Sequence, residues 1–363
     1  MNDKRFACGL LALALAVAIA SIAFWHLVTK DTFYEKDGHG DLARIASLDI
    51  PLPETKTIDF GGTHETLQHY LKTGARETYD VLVVGDSASA GTGGTWWQDD
   101  LQARYGIESI TALRMLQRSG YIDVQQMARL LLDLGYIDAI HPRYLVLECG
   151  ERMVTRHFAT ELRDPPDWTR AQFEEAYLAY RETGGREIVP PTTLLSTTMG
   201  AANEAYFKNR IHEMRYDGQP AGDARRYRLQ IPAFTNPGWE RELLCFSQDE
   251  EYLTLPHEPA AVNENLERLA QDLRAHGTEL VVLILPDKLD TYRPWLAGDA
   301  PPENTFFADM AQLPRNYTWI DTKTILRAAV ASGTPDLYWC DDTHWSWRAQ
   351  RLIVDALAPH LAR

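Results

Sequence analysis

The chain has no basic block anywhere: 36 Lys and Arg stand against 51 Asp and Glu, a formal net charge of −15 over 363 residues. Nucleic-acid binding relies on clustered cations to neutralise phosphates, so the composition argues against it. An acidic body suits a small-molecule or neutral-polymer substrate instead. Cysteine is scarce. Cys8, Cys149, Cys245 and Cys340 follow no metal-ligand spacing, and neither a metal nor another cofactor is expected. In an exported body two of the last three could oxidise, with no pairing singled out. Internal repeats and low-complexity tracts are also missing.

One long hydrophobic run is present, at the amino terminus. Met1-Asn-Asp-Lys-Arg5 precedes apolar residues from Phe6 to about Val28, enough to cross a bilayer core at about 1.5 Å per residue. Ala18-Ile-Ala20 before Ser21 fits a cleavage pattern. The run nevertheless continues through Ile22, Phe24, Trp25, Leu27 and Val28, which favours an uncleaved anchor. With Lys4 and Arg5 ahead of it, the positive-inside rule leaves the amino terminus in the cytoplasm and exports the rest. The expected division is an anchor or signal over 1–30, a linker over 31–57 that lacks periodicity, and a folded body over 58–363, anchored at the inner membrane and facing the periplasm.

Within the body, Val81-Leu-Val-Val84 closed by Gly85 marks a strand covered on both faces, as parallel sheets require. Similar runs recur at 107–113, 144–147, 280–285 and 317–320. Helical patterns lie between them: Met127, Leu130, Leu131 and Leu134 share one face, and 263–276 and 322–331 behave likewise, the former ending at Gly277. The alternation predicts a three-layer α/β/α domain around a five-stranded parallel sheet. Residues 164–256, rich in Pro, Gly, aromatic and charged residues, lack this rhythm and are expected to be an insertion folding over one end of the sheet.

The chemistry concentrates in two segments far apart. Gly85-Asp-Ser87 leaves the first strong strand at the carboxyl edge, where open α/β sheets place ligands, and makes Ser87 a candidate nucleophile. The following Ala88-Ser-Ala-Gly-Thr-Gly-Gly94 lets backbone amides approach a developing oxyanion, with Trp96 and Trp97 as candidate walls. Asp341-Asp-Thr-His-Trp345 precedes a final helix expected over 347–361. His344 needs an acid to fix its tautomer, and either Asp341 or Asp342 can provide it. The competing structural readings are a turn at Gly85-Asp-Ser87, a helix cap at Asp342 or Thr343, and a buried imidazole. A serine and an Asp-His pair converging on one sheet edge outweigh them together.

At these residues the chain resembles the SGNH hydrolases, serine esterases and acyltransferases. More closely, Asp342-Thr-His-Trp345, Leu285-Pro-Asp-Lys-Leu-Asp-Thr-Tyr292 and Glu151-Arg152 are similar to exported SGNH-like proteins of the alginate O-acetyltransferase type. The resemblance covers most of 60–361 apart from the insertion. It implies O-acetylation of an exopolysaccharide beside a multispanning membrane acyltransferase that supplies the acetyl group. Ser87 would carry the acetyl, His344 would be the base and Asp342 the orienting acid by the family's Asp-x-His spacing, with Asp341 the alternate. A carbohydrate acetylesterase of the same fold and an inactive polysaccharide-binding scaffold are the alternatives.

The serine precedes the Asp-His pair here, unlike the order in the alginate enzymes. The usual oxyanion Gly and Asn are also missing: Leu113-Arg-Met-Leu116 and Cys149-Gly-Glu-Arg152 stand in their places. Arg114 and Arg152 are therefore candidate substitutes. Lys288 and Tyr292 are candidate sugar ligands, competing with a turn and with packing. For Trp345, anchoring of the last helix in the core is the stronger reading.

Overall fold

The computed structural model describes residues 3–34, 40–74, 78–91, 95–117, 120–158, 166–182, 197–220, 222–255 and 257–362. Its centre is an all-parallel sheet of six strands: β1 Glu65–Thr66, β2 Val81–Gly85, β3 Ser109–Leu113, β4 Tyr144–Gly150, β5 Glu279–Leu285 and β6 Thr318–Trp319. Their spatial order is β1-β3-β2-β4-β5-β6. The chain leaves β2 towards β3 on one side and returns to β4 on the other, so the order reverses between β2 and β4, where such sheets hold ligands. Registers such as Val81↔Tyr144 and Gly150↔Leu285 bring the exits of β2, β4 and β5 to one edge.

Alternation along the buried strands splits the core into two layers. Val81, Val83, Val146, Val281 and Leu283 pack with Leu326, Ile353 and Leu357 on one face. Leu82, Val84, Leu145, Leu147 and Val282 pack with Met127, Leu131, Leu266 and Leu273 on the other. This is the period-two consequence of strands buried on both sides. Asp123 starts the helix Val124–Asp133 through a capping box with Gln126. The helix Pro259–Ala275 is followed by Gly277 at φ +78°, and Thr322–Ala331 and Trp347–Leu361 form the opposite layer.

The five expected strands are all present, and the sheet has a sixth, β1, too short at two residues to leave a pattern. The linker expectation is corrected. Asp41–Ala46 is a helix, and Leu42, Ala43, Ala46, Leu48 and Ile50 are buried in the core layer that holds the final helix. Residues 35–39 lie outside the described residues. The expected insertion contains helices Arg170–Glu182, Thr197–Arg215 and Ser247–Thr254 and an antiparallel pair, Ala224–Arg228 with Glu242–Phe246. That pair contributes Ala224, Leu243, Leu244 and Cys245 to the same core layer, so it is integral to the fold.

At the amino terminus, helix Asp3–Phe24 continues into a wider turn over Trp25–Tyr34. The segment Arg5–Thr29 has mean hydropathy 2.5 with none of its apolar stretch buried against the body, as befits a membrane anchor or a signal sequence. All four cysteines are free thiols, three of them buried.

Candidate active site

The exit of β2 is built around a close approach. A Cβ on Gly85 would meet Ser89 Oγ at 2.4 Å and Glu148 Oε2 at 2.8 Å, so only glycine fits. Asp86 then turns the chain: its Oδ1 accepts from the Ala88 amide at 2.9 Å and its Oδ2 from the Gly150 amide at 3.2 Å, tying the exits of β2 and β4. Ser87–Ser89 follows as one tight turn. Beneath it, Glu148 Oε2 accepts from Ser89 Oγ at 2.7 Å and from the Asp86 amide at 3.2 Å. Burial, and then the neighbouring Asp86 charge, push the Glu148 carboxyl well above its ordinary range. Ser89 itself is fully buried and accepts from Trp97 Nε1 at 3.2 Å, which makes it a support of the turn.

The second segment arrives before the last helix, whose cap is Ser346, accepting from the Arg348 amide at 3.0 Å. Asp342 and Thr343 are thereby released from capping. Asp342 Oδ1 lies 2.5 Å from His344 Nδ1 and accepts from the His344 amide at 2.9 Å. Burial would raise the Asp342 carboxyl. The imidazolium and these hydrogen bonds overcome it and hold the carboxyl well below its usual range. For His344 burial works downward, but Asp342, with smaller help from Asp41 and Asp86, raises the imidazole overall. Asp341 faces elsewhere: its Oδ2 binds Lys56 Nζ at 2.6 Å and the Gly40 amide at 2.7 Å.

The two segments meet. The Trp345 indole donates to the Ala88 carbonyl at 3.2 Å across 257 positions of sequence. Ser87, Arg114, Arg152, Asp287, Tyr338, Thr343 and His344 line one cavity of about 60 Å³. That is room for a few water-sized groups beside Ser87. Arg152 Nη1 binds Asp287 at 2.7 Å and Asp249 at 3.2 Å, so this guanidinium is fixed at the rim.

Other expectations are corrected. Lys288 is 1 % exposed, and its Nζ donates to the carbonyls of Trp339 at 2.6 Å, Cys340 at 2.9 Å and Asp342 at 3.1 Å. It holds the Asp-His loop from behind and cannot reach a sugar. Tyr292 is completely buried beside Phe234 and Tyr338. Trp97 is buried under the serine turn, while Trp96 packs at a tilt against His64 outside the cavity. Trp345 is both a cavity wall and a core anchor. Residues 92–94 of the small-residue loop lie outside the described residues.

Three contributors escaped the sequence reading. Glu148 hides in an apolar strand. Asp41 accepts from the Thr343 amide at 2.9 Å and its hydroxyl at 2.7 Å from what looked like a linker. Tyr338 donates to the Pro286 carbonyl, and no spacing marks it. Asp41, Asp342 and His344 offer donor atoms within 4.8 Å of one another. Both Asp41 oxygens are engaged by Thr343 and Asp342 Oδ1 by His344, so the trio is knit internally.

Residues 245–363, about a third of the chain, match the family model described as the SGNH hydrolase-like domain of acetyltransferase AlgX. The matched part holds Lys288, Asp341, Asp342 and His344 and stops short of Ser87. No curated protein matches the chain.

Proposed function

We propose that this protein is an exported polysaccharide O-acetyltransferase that works through an acetyl-serine at Ser87. In the first half-reaction His344 Nε2 takes the Ser87 proton as the oxygen attacks the acetyl carbonyl of the donor. The tetrahedral intermediate collapses, the donor oxygen leaves with that proton, and Ser87 holds the acetyl group. In the second, His344 deprotonates a sugar hydroxyl, which takes the acetyl and restores Ser87.

Asp342 keeps the proton on Nδ1 so that Nε2 is the basic nitrogen, and it stabilises the imidazolium formed in each half. The amides of Ala88 and Gly150 already serve Asp86. Stabilisation of the oxyanion is therefore assigned to the guanidinium groups at the cavity, Arg114 and Arg152. The acetyl donor would be a multispanning membrane acyltransferase beside the anchor.

What supports this reading most is the Trp345–Ala88 hydrogen bond, which joins the residue after His344 to the residue after Ser87 at one cavity. The match of residues 245–363 to an acetyltransferase domain favours acetyl as the group carried. The test is turnover of a chromogenic acetyl ester with and without a soluble oligosaccharide acceptor. Acetylated oligosaccharide is the expected product. Free acetate alone, unaffected by acceptor, would make the protein an acetylesterase, and no turnover would leave a polysaccharide-binding scaffold.

A further inference from the structure

The helix Thr197–Arg215 joins the amino-terminal apolar helix to the body. One side of it faces the apolar helix: Asn203 Nδ2 donates to Ser21 O and Oγ at 3.1 Å, Thr29 Oγ1 donates to Asn203 Oδ1 at 2.7 Å, and Phe24 stacks on Phe207. A second side grips the body, where Asn209 Nδ2 donates to Ile45 O at 3.1 Å and Arg210 to Ser47 O at 2.7 Å. Past Phe207 the side that meets the apolar helix runs on uncovered. Phe207, Ile211 and Met214 are 51 %, 46 % and 79 % exposed at the i, i+4, i+7 spacing of one helical face, with Arg215 and the ion pair of Lys208 with Glu204 (2.6 Å) exposed beside them.

The depth of this face follows from the span. A hydrocarbon core of roughly 30 Å takes about 20 helical residues, so a span entering after Arg5 leaves the core near Phe24 and Trp25. The helix Thr197–Arg215 touches Ser21, Phe24 and Thr29, at and beside that exit. Phe24, Trp25, Tyr206 and Phe207 then lie where aromatic side chains gather at a membrane boundary. An apolar stripe continuous with that boundary and edged by charged side chains, Arg215 and the paired Lys208 and Glu204, matches a helix lying in the interface plane.

We infer that Phe207, Ile211 and Met214 are immersed in the lipid headgroup boundary, so that Thr197–Arg215 is a bracket setting the body's orientation on the bilayer. The inference rests on reading Arg5–Thr29 as a membrane span and is independent of the acyl-transfer chemistry.

The test uses the full chain in nanodiscs of phosphatidylcholine and phosphatidylglycerol, with Cys8→Ser and the three buried cysteines kept. Nitroxide labels are placed at Met214→Cys, at Ile211→Cys and, as reference, at Glu264→Cys on Pro259–Ala275. Electron paramagnetic resonance then measures collision with oxygen, which partitions into lipid, against a water-soluble nickel complex. The expected result is co-elution with nanodiscs and an oxygen-to-nickel ratio severalfold higher at 214 and 211 than at 264. Co-elution with all three labels equally open to nickel would overturn the bracket alone and leave the face to a protein partner. Failure to co-elute would overturn the span and the bracket together.

Discussion

Lys288 gives the sharpest separation between a sugar-binding and a structural role. Replacing it with Met removes an ammonium from three carbonyls, of Trp339, Cys340 and Asp342, all on the loop that carries His344. The Trp339 carbonyl keeps the Asp342 amide at 3.2 Å, so two carbonyls are left dry; at about 1–3 kcal/mol each, the gross loss is roughly 2–6 kcal/mol. Removing a buried charge returns part of this, because its own desolvation, on the order of several kcal/mol, disappears. A net loss of about 3 kcal/mol is the working value. With unfolding entropy of about 2.1 cal/mol/K per residue, a body of about 300 residues should lose about 5 °C in Tm.

The catalytic effect should be larger in proportion. A loop shift of about 1 Å at His344 costs roughly 100-fold in rate. The assay pairs calorimetric Tm with kcat and KM on the chromogenic ester and oligosaccharide acceptor. Lys288→Met should lower Tm and kcat while leaving the acceptor KM nearly unchanged. An unaltered Tm and kcat with a raised acceptor KM would refute the buried-brace argument and return Lys288 to the sugar site.

The two aspartates should part company: Asp342→Asn should lower kcat by roughly four orders of magnitude with the fold retained, as expected for the acid of a triad. Asp341→Ala, which breaks the buried pair with Lys56, should cost about 3 kcal/mol in unfolding free energy, with kcat of the folded fraction largely preserved. Because Asp342 raises the His344 imidazole and the base must be neutral, kcat/KM should climb with a midpoint above 6.5 as pH rises; the midpoint should fall in Asp342→Asn, read from a pH–rate profile. Glu148, with its folded-state pKa raised, contributes stability that is full below its unfolded pKa and is lost as pH rises towards the folded one. Glu148→Gln should therefore match the parent in acid and unfold at a higher denaturant concentration near neutrality.

How far the chain can be read without coordinates depends on the range of the interaction. The runs 81–84, 144–147 and 280–285 bury both faces, and such continuous apolar stretches announce a parallel sheet; the final helix likewise declares itself by periodicity over Trp347–Leu361. The Asp342–His344 pair is also local, separated by two positions. Contacts such as Gly40–Asp341 and Asp41–Thr343 span about 300 positions, and nothing in the short run 41–50 tells a buried helix from a linker. Lys288 was legible as a cation at the right sheet edge. Whether it points outward to solvent or inward to carbonyls is decided by the loop packed behind it.

Acylation of Ser87 with His344 as base is the central step. Rapid quenching of the full chain with the chromogenic acetyl ester, followed by peptide mass spectrometry, tests this directly. The prediction is an acetyl adduct on Ser87, lost on addition of acceptor and not formed by His344→Ala. An adduct confined to another side chain, or one on Ser87 formed equally fast without His344, would contradict it.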